Sequence, residues 1–184
     1  MNRKQNFRFS LEWDSITKGL VCGILVVFFS LLQTTVFTKL QPFGAVPDLM
    51  LSLVVAIAMT EREKWGAVVG TAAAFVIESI GGSPVTLLPL LYMPVGYICG
   101  MLTVHYFRDS VAVRTMFTAV TQAIRVLITV IILAATVADI TFGDMLTLAV
   151  IPEFLAGVVF APIPHIAAKL CLRPFNKTRE ERVK

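Results

Sequence analysis

The stretch PDLMLSLVVAIAMTEREKWGAVVGTAAAFVIESIGGSP, residues 47–84, decides how the chain is read. Two short apolar runs, Leu49 to Met59 and Trp65 to Ile80, flank the polar turn Glu61-Arg62-Glu63-Lys64, and Gly81-Gly82-Ser83-Pro84 closes the second run. Such runs, punctuated by compact polar turns, suit a chain that crosses hydrocarbon, because there only a helix satisfies its own backbone hydrogen bonds without a closed barrel. Gly66, Gly70, Ala74 and Glu78 recur at four-residue spacing, so one face of the second helix is small enough for close contact and ends in a carboxylate. This row reads as a packing surface first and a site second.

Composition places the rest of the chain in the same class. Of 184 residues, 57% are hydrophobic and 15% charged, with a mean hydropathy of +0.80; soluble domains carry roughly a quarter charged residues. The expectation is an all-α polytopic membrane protein: a cytoplasmic N-terminal tail (1–18), one transmembrane domain (19–170) and a basic cytoplasmic C-terminal tail (171–184). The net charge of +4 does not point to nucleic acid, because Lys and Arg sit at segment ends instead of clustering with aromatics. Cys22, Cys99 and Cys171 lie far apart, with neither CxxC spacing nor paired His, and read as buried inert thiols. The first apolar run is too long for a signal-peptide core and no cleavage site follows it, so it is expected to stay as a helix.

Six spans are expected. The first is Gly19 to Phe37, preceded by a tail whose Arg3, Lys4, Arg8, Phe7, Phe9, Leu11 and Trp13 suit either an amphipathic surface helix or a solvated segment. Pro42, Gly44 and Pro47 mark a turn, and Asp48 stands where a helix start favours a carboxylate. The second span, from Ala45 to near Thr60, is at or below the roughly 17 residues needed to cross a bilayer core; the third, Trp65 to Ile80, is equally marginal. The fourth runs from Pro84 to about Phe107, with Pro89 and Pro94 expected to bend it and Gly96 and Gly100 forming another close-contact face. Val111 to Ala138 and Met145 to about Leu170 complete the set. Arg62, Lys64, Arg108, Arg114 and both basic tails fall on one side of this arrangement. Only Lys39 falls on the other, beside Asp48, Asp139 and Asp144, so both termini are expected in the cytoplasm.

Arg125 is a charge inside the membrane, eleven residues past Arg114 and therefore about 16 Å along its helix. It should face protein and pair with an acid, and the sequence offers Glu153 or Glu78. Thr118, Thr121, Gln122, Arg125 and Thr129 share one face of span five; Glu153, Gly157, Ala161 and His165 form a four-residue row on span six. Gln33, Glu78, Gln122, Arg125 and Glu153 are thus the candidate intramembrane polar cluster. It is read as a structural ion pair, as part of a substrate or proton path, or as a charge kept for a partner's transmembrane helix. Gly66, Gly70, Ala74, Gly96 and Gly100 are the candidate helix-packing or partner faces. His105 and His165 are expected at the membrane interface. No serine has a suitably spaced His and acid, and no G-x-S-x-G, H-E-x-x-H or phosphate-cradling loop occurs. The expectation is a non-enzyme without metal or cofactor.

Leu32-Gln33-Thr34-Thr35, Val46-Pro47-Asp48-Leu49, Trp65-Gly66 with Gly70 and a terminal acid before Gly81-Gly82-Ser83, and Pro94-Val95-Gly96-Tyr97-xx-Gly100 follow one another in residues 20–105. In this succession the chain resembles the MreD family of rod shape-determining membrane proteins; it departs in Glu78, where Asp is commoner, and in Arg125. The resemblance implies a non-catalytic inner-membrane subunit of the bacterial cell-elongation complex, supporting cell shape and peptidoglycan synthesis. Its implied partner is MreC, a single-span protein, and through MreC the MreB filaments, the RodA glycosyltransferase and a class B penicillin-binding transpeptidase; self-association is open. It also implies a fold like the S components of energy-coupling-factor transporters. The alternative reading is a vitamin-binding S component itself, with a polar pocket near Gln33, Glu78 and Glu153. Against that, span one offers Gly19-xxx-Gly23 where an Ala-xxx-Ala row for a coupling subunit is needed.

Overall fold

In a computed structural model of the protein, the backbone is described for residues 3–80, 88–106, 110–136 and 150–183, and the side chains for 15–80, 90–103, 110, 112–132 and 150–173. The turn from Gly81 to Pro84, Arg108, the loop from Asp139 to Asp144, the start of the sixth run at Met145 and the side chains of 1–14, of 174–184 and of His105 lie outside the described residues.

The described residues are helical, with no strand among them. Helix α1, Arg3–Leu31, passes unbroken into a π-helical stretch, Leu32–Phe37, and a last turn, α2, Thr38–Leu40. The part Ser15–Leu40 is 26 residues long and contains an 18-residue window of mean hydropathy 2.3, ample for a hydrocarbon core of about 30 Å. Ala112–Ile132 and Ile151–Arg173 are also long and apolar enough to cross a membrane, which makes three such helices among the described residues. The first segment therefore outruns the expected limits of Gly19 to Phe37 at both ends.

At the centre stands α3, Leu49–Glu61, in which every residue except Thr60 is buried. It packs against α1, α4 (Glu63–Ile80), α5 (Tyr92–Tyr106), α6 (Val111–Thr136), α7 (Ile151–Phe160) and α8 (Pro162–Val183). The sequence explains this position: α3 is apolar all round, and a helix without a polar face has to be enclosed. Its thirteen residues rise only about 20 Å. The helix is shorter than a start at Ala45 predicts, because Gly44 takes φ +82° and Ala45 is extended, delaying the first turn until Leu49.

The expected four-residue polar turn shrinks to one residue. Glu61 completes α3, Glu63 opens α4, where a carboxylate suits the helix dipole, and Arg62 alone reverses the chain at φ 76°, ψ −177°. Its N–H donates to Ala58 O at 2.9 Å. At this same end Lys18 Nζ lies 2.7 Å from Glu61 Oε2, tying α1 to the end of α3.

α4 and α5 approach backbone to backbone. A Cβ on Gly66 would lie 2.7 Å from that of Ala58 and would collide with the Gly96 carbonyl; one on Gly100 would lie 2.6 Å from Glu63 Cα. Gly70 meets Tyr92 and Met93 in the same way, and Ala74 is buried in the adjoining core. The five small residues thus lie inside the protein. Fourth in order, α5 is shorter than its expected run from Pro84 to Phe107. Pro89 lies in a 3-10 turn, Leu88–Leu91, and Pro94 in the first turn of α5, where no intrahelical hydrogen bond is lost. These prolines set where α5 starts and do not bend its middle.

The core is apolar, and among the described residues the outside is largely apolar too, unlike that of a soluble domain. Ile24 and Phe75 are 67% and 69% exposed, and Leu20, Leu127, Ile131, Val159 and Leu170 also face outward, while Ser30, Gln33, Asp48, Ser52, Arg114, Gln122 and His165 are buried. An apolar exterior around buried polar groups suits a lipid surrounding.

Candidate functional site

The start of α3 is a buried helix end, and its first N–H groups have no partner within the helix. Two side chains satisfy them. Asp48 is the N-cap, its Oδ1 accepting from Leu51 N at 3.0 Å, and Gln33 Oε1 accepts from Leu49 N at 3.0 Å and Met50 N at 3.2 Å. Gln33 comes from the π-helical stretch of the first segment, where the wider winding is accompanied by bonds such as Thr38 Oγ1 to Gln33 O at 3.2 Å. The two motifs Leu32-Gln33-Thr34-Thr35 and Val46-Pro47-Asp48-Leu49 therefore meet at one point.

Arg125 reaches the same point from α6. Its Nε lies 3.0 Å from Asp48 Oδ2, an ion contact without the alignment of a hydrogen bond, and its Nη1 donates to Glu153 Oε1 on α7. Tyr92 at the start of α5 donates its hydroxyl to Asp48 Oδ2 at 2.9 Å. One guanidinium thus bridges two carboxylates, in a cluster fed by the first segment and by α3, α5, α6 and α7. Of the two acids weighed for Arg125, Glu153 is engaged. The second carboxylate is Asp48, for which sequence spacing suggested only a capping role.

Glu78 does not belong to the cluster; it is exposed on α4. The four-residue row explains the error, since each step of four advances 400°, a drift of about 40°. From Gly66 to Glu78 the drift accumulates to about 120°, whereas Ile77, eleven residues on, returns to within about 20° and takes the inward place; Ile77 is buried at 2%.

Below the cluster, α6 and the α7–α8 rod meet rung by rung. Thr118 Oγ1 lies 3.0 Å from His165 Nε2. A Cβ on Gly157 would fall 2.6 Å from Gln122 Nε2, so Gly157 makes room for the amide, and Arg125 to Glu153 forms the next rung. The polar face of α6 and the row on α7–α8 look at each other. His165, expected at the membrane interface, is instead enclosed: it is 1% exposed and its ring meets Thr118 of α6. Gln122 is 0% exposed, and neither of its amide atoms has a hydrogen-bond partner among the described residues. Cys22 and Cys99 are buried as expected, but Cys171 is exposed. Among the described residues no group of three or more His, Cys, Asp or Glu could hold a metal ion.

The chemistry this arrangement supports is charge neutralisation and helix registry: Arg125 is held by two carboxylates, and Asp48 is further held by a phenol and a backbone N–H. The residues that sequence reasoning missed, Asp48 as an ion partner, Tyr92, and the Lys18–Glu61 pair, come from separate helices. Only the start of an apolar run at Asp48 signalled one of them. Comparison of the chain with protein-family models, with curated proteins and with solved structures finds no match.

Proposed function

We propose that this protein is a non-catalytic integral-membrane scaffold of the bacterial cell-elongation complex, an MreD-like subunit of the inner membrane that supports cell shape and peptidoglycan synthesis through an MreC-like single-span partner. In this reading α1–α2, α3, α4, α5, α6 and α7–α8 are six crossings with both termini cytoplasmic, arranged as in S components of energy-coupling-factor transporters. MreB filaments, RodA and the class B transpeptidase are reached through the partner.

The observation that carries the reading is the pairing of the motifs behind the resemblance. Gln33 caps the helix that Asp48 opens, and Gly66 of the Trp65-Gly66 motif packs on Gly96 of the Pro94-to-Gly100 motif. Four separate stretches thus serve two contacts around α3, as expected of one inherited architecture. The ion network favours scaffold over transport, since both carboxylates near Arg125 are already occupied by it.

The test is affinity purification of the tagged protein from native membranes, with quantitative mass spectrometry, alongside depletion in growing cells. Enrichment of an MreC-like protein and rounding of rod-shaped cells are expected. Cells that keep their rod shape on depletion, or a small vitamin that co-purifies together with a coupling subunit, would overturn it in favour of transport.

A further inference from the structure

Glu78 is a carboxylate on the outside of the bundle, near the level of an ionic cluster that the fold holds together. It stands fifteen residues from Glu63 on α4, about 22 Å of rise; Asp48 stands thirteen residues from Glu61 on the antiparallel α3, about 20 Å. Both chains turn at Arg62, so Glu78 lies within about one helical turn of the depth of the Asp48–Arg125 cluster. Asp48 is buried and paired there, whereas Glu78 faces outward.

The surroundings of Glu78 narrow its use. Its helix face carries Val68, Thr71, Ala72 and Phe75, all exposed, with Phe75 at 69% the most exposed of the large apolar side chains given above. The hydroxyls on this side are satisfied by their own helix: Thr71 Oγ1 donates to Ala67 O at 2.9 Å and Ser79 Oγ to Phe75 O at 2.7 Å. Glu78 has no such recourse, because a carboxylate accepts and the α4 N–H groups are engaged in the helix. Among the described residues no cation lies within ion-pair distance of it. In the six-crossing reading this face meets lipid, where an unanswered charge is costly and is retained where a partner answers it.

We infer that the face of α4 formed by Thr71, Phe75 and Glu78 docks a transmembrane helix of another protein that carries a lysine or arginine at the depth of Glu78. The charge requires a donor at that depth; Thr71 and Ala72, one to two turns closer to the cytoplasm, leave room for the helix backbone to come close. The inference rests on the scaffold reading above, in which the single-span partner supplies that helix.

The experiment places a photo-crosslinking amino acid at Thr71 or Phe75, and for comparison at Ile131 on α6 or Val159 on α7, which also face outward. The full-length protein is expressed in native membranes with a tagged MreC-like partner. Adducts with the partner are expected from the α4 positions and not from the other two. Glu78→Lys should lower the adduct yield roughly tenfold, the scale of one interhelical polar contact, and changing the basic residue of the partner's span to glutamate should restore it. Thermal stability of purified Glu78→Gln should be unchanged, since the side chain holds nothing within the fold.

Adducts from Ile131 or Val159 alone would overturn this docking face while leaving the scaffold reading intact. Adducts from Phe75 to a second copy of the chain, or to lipid only, would likewise overturn it. No adduct from any position, together with no co-purification of the partner, would remove both.

Discussion

Arg125 answers two carboxylates at once, so removing it leaves the buried Asp48 and the half-buried Glu153 without a counter-charge. Breaking a buried pair from one side costs about 3–5 kcal/mol, whereas replacing all partners together by apolar groups of similar size is often near neutral. Arg125→Leu is therefore expected to lower the melting temperature of the detergent-solubilised protein sharply, and Asp48→Asn combined with Arg125→Leu and Glu153→Leu to recover much of the loss. Equal stability of wild type, Arg125→Leu and Glu153→Leu would remove the structural role of the cluster. Gln33 makes a separate contribution. With Gln33→Leu the N–H groups of Met50 and, in part, Leu49 lose their acceptor, and each buried donor left so costs about 1–3 kcal/mol. Leu49 keeps a contact to Pro47 O at 3.1 Å, so the loss is expected at the low end for two donors. It should be read out as faster hydrogen exchange confined to the first turn of α3.

For the elements, the decisive contact is α4 on α5. Gly66→Ala or Gly96→Ala puts a methyl where a carbonyl oxygen of the facing helix already stands, and neither backbone can yield as a side chain would. Overpacking of this kind costs about 1–3 kcal/mol, measurable as a lower unfolding midpoint and as a change in Trp65 fluorescence, since Trp65 adjoins the contact. Gly23 supplies the comparison. Nothing lies within 4 Å of a Cβ there, so Gly23→Ala is expected to be neutral or to stabilise by about 0.5–1 kcal/mol through the lower backbone entropy of alanine. A Gly23→Ala variant as unstable as Gly66→Ala would mean that the α4–α5 approach is not what limits stability. The prolines teach the same lesson at this scale: Pro94 was expected to bend a long helix, but a proline in a first turn has no hydrogen bond to break.

Among the described residues, the short helix α3 is enclosed by the other helices, with the Asp48–Arg125–Glu153 network between them and many large apolar side chains on the outside. The proposed topology gives an expected result at this scale. In a background without Cys22, Cys99 and Cys171, Lys39→Cys should react with a membrane-impermeant maleimide in intact cells, and Lys64→Cys only after permeabilisation. Reversed labelling would overturn the orientation drawn from the positive charges. Hydropathy, helical class, the position of the polar face on α6 and the capping place of Asp48 were all legible in the sequence, because each depends on residues within a few turns of one another. That Asp48 joins Glu153 in answering Arg125 was not legible. Asp48 lies 77 residues away in the chain, since 125 − 48 = 77, and it meets Arg125 only because α3 is enclosed by its neighbours. Glu78, equally acidic and ending a row of small residues, was turned outward by a drift of about 40° per four residues that spacing alone conceals. Local chemistry settles what each segment is; the enclosure of α3, which depends on every other helix at once, settles which charges are buried together.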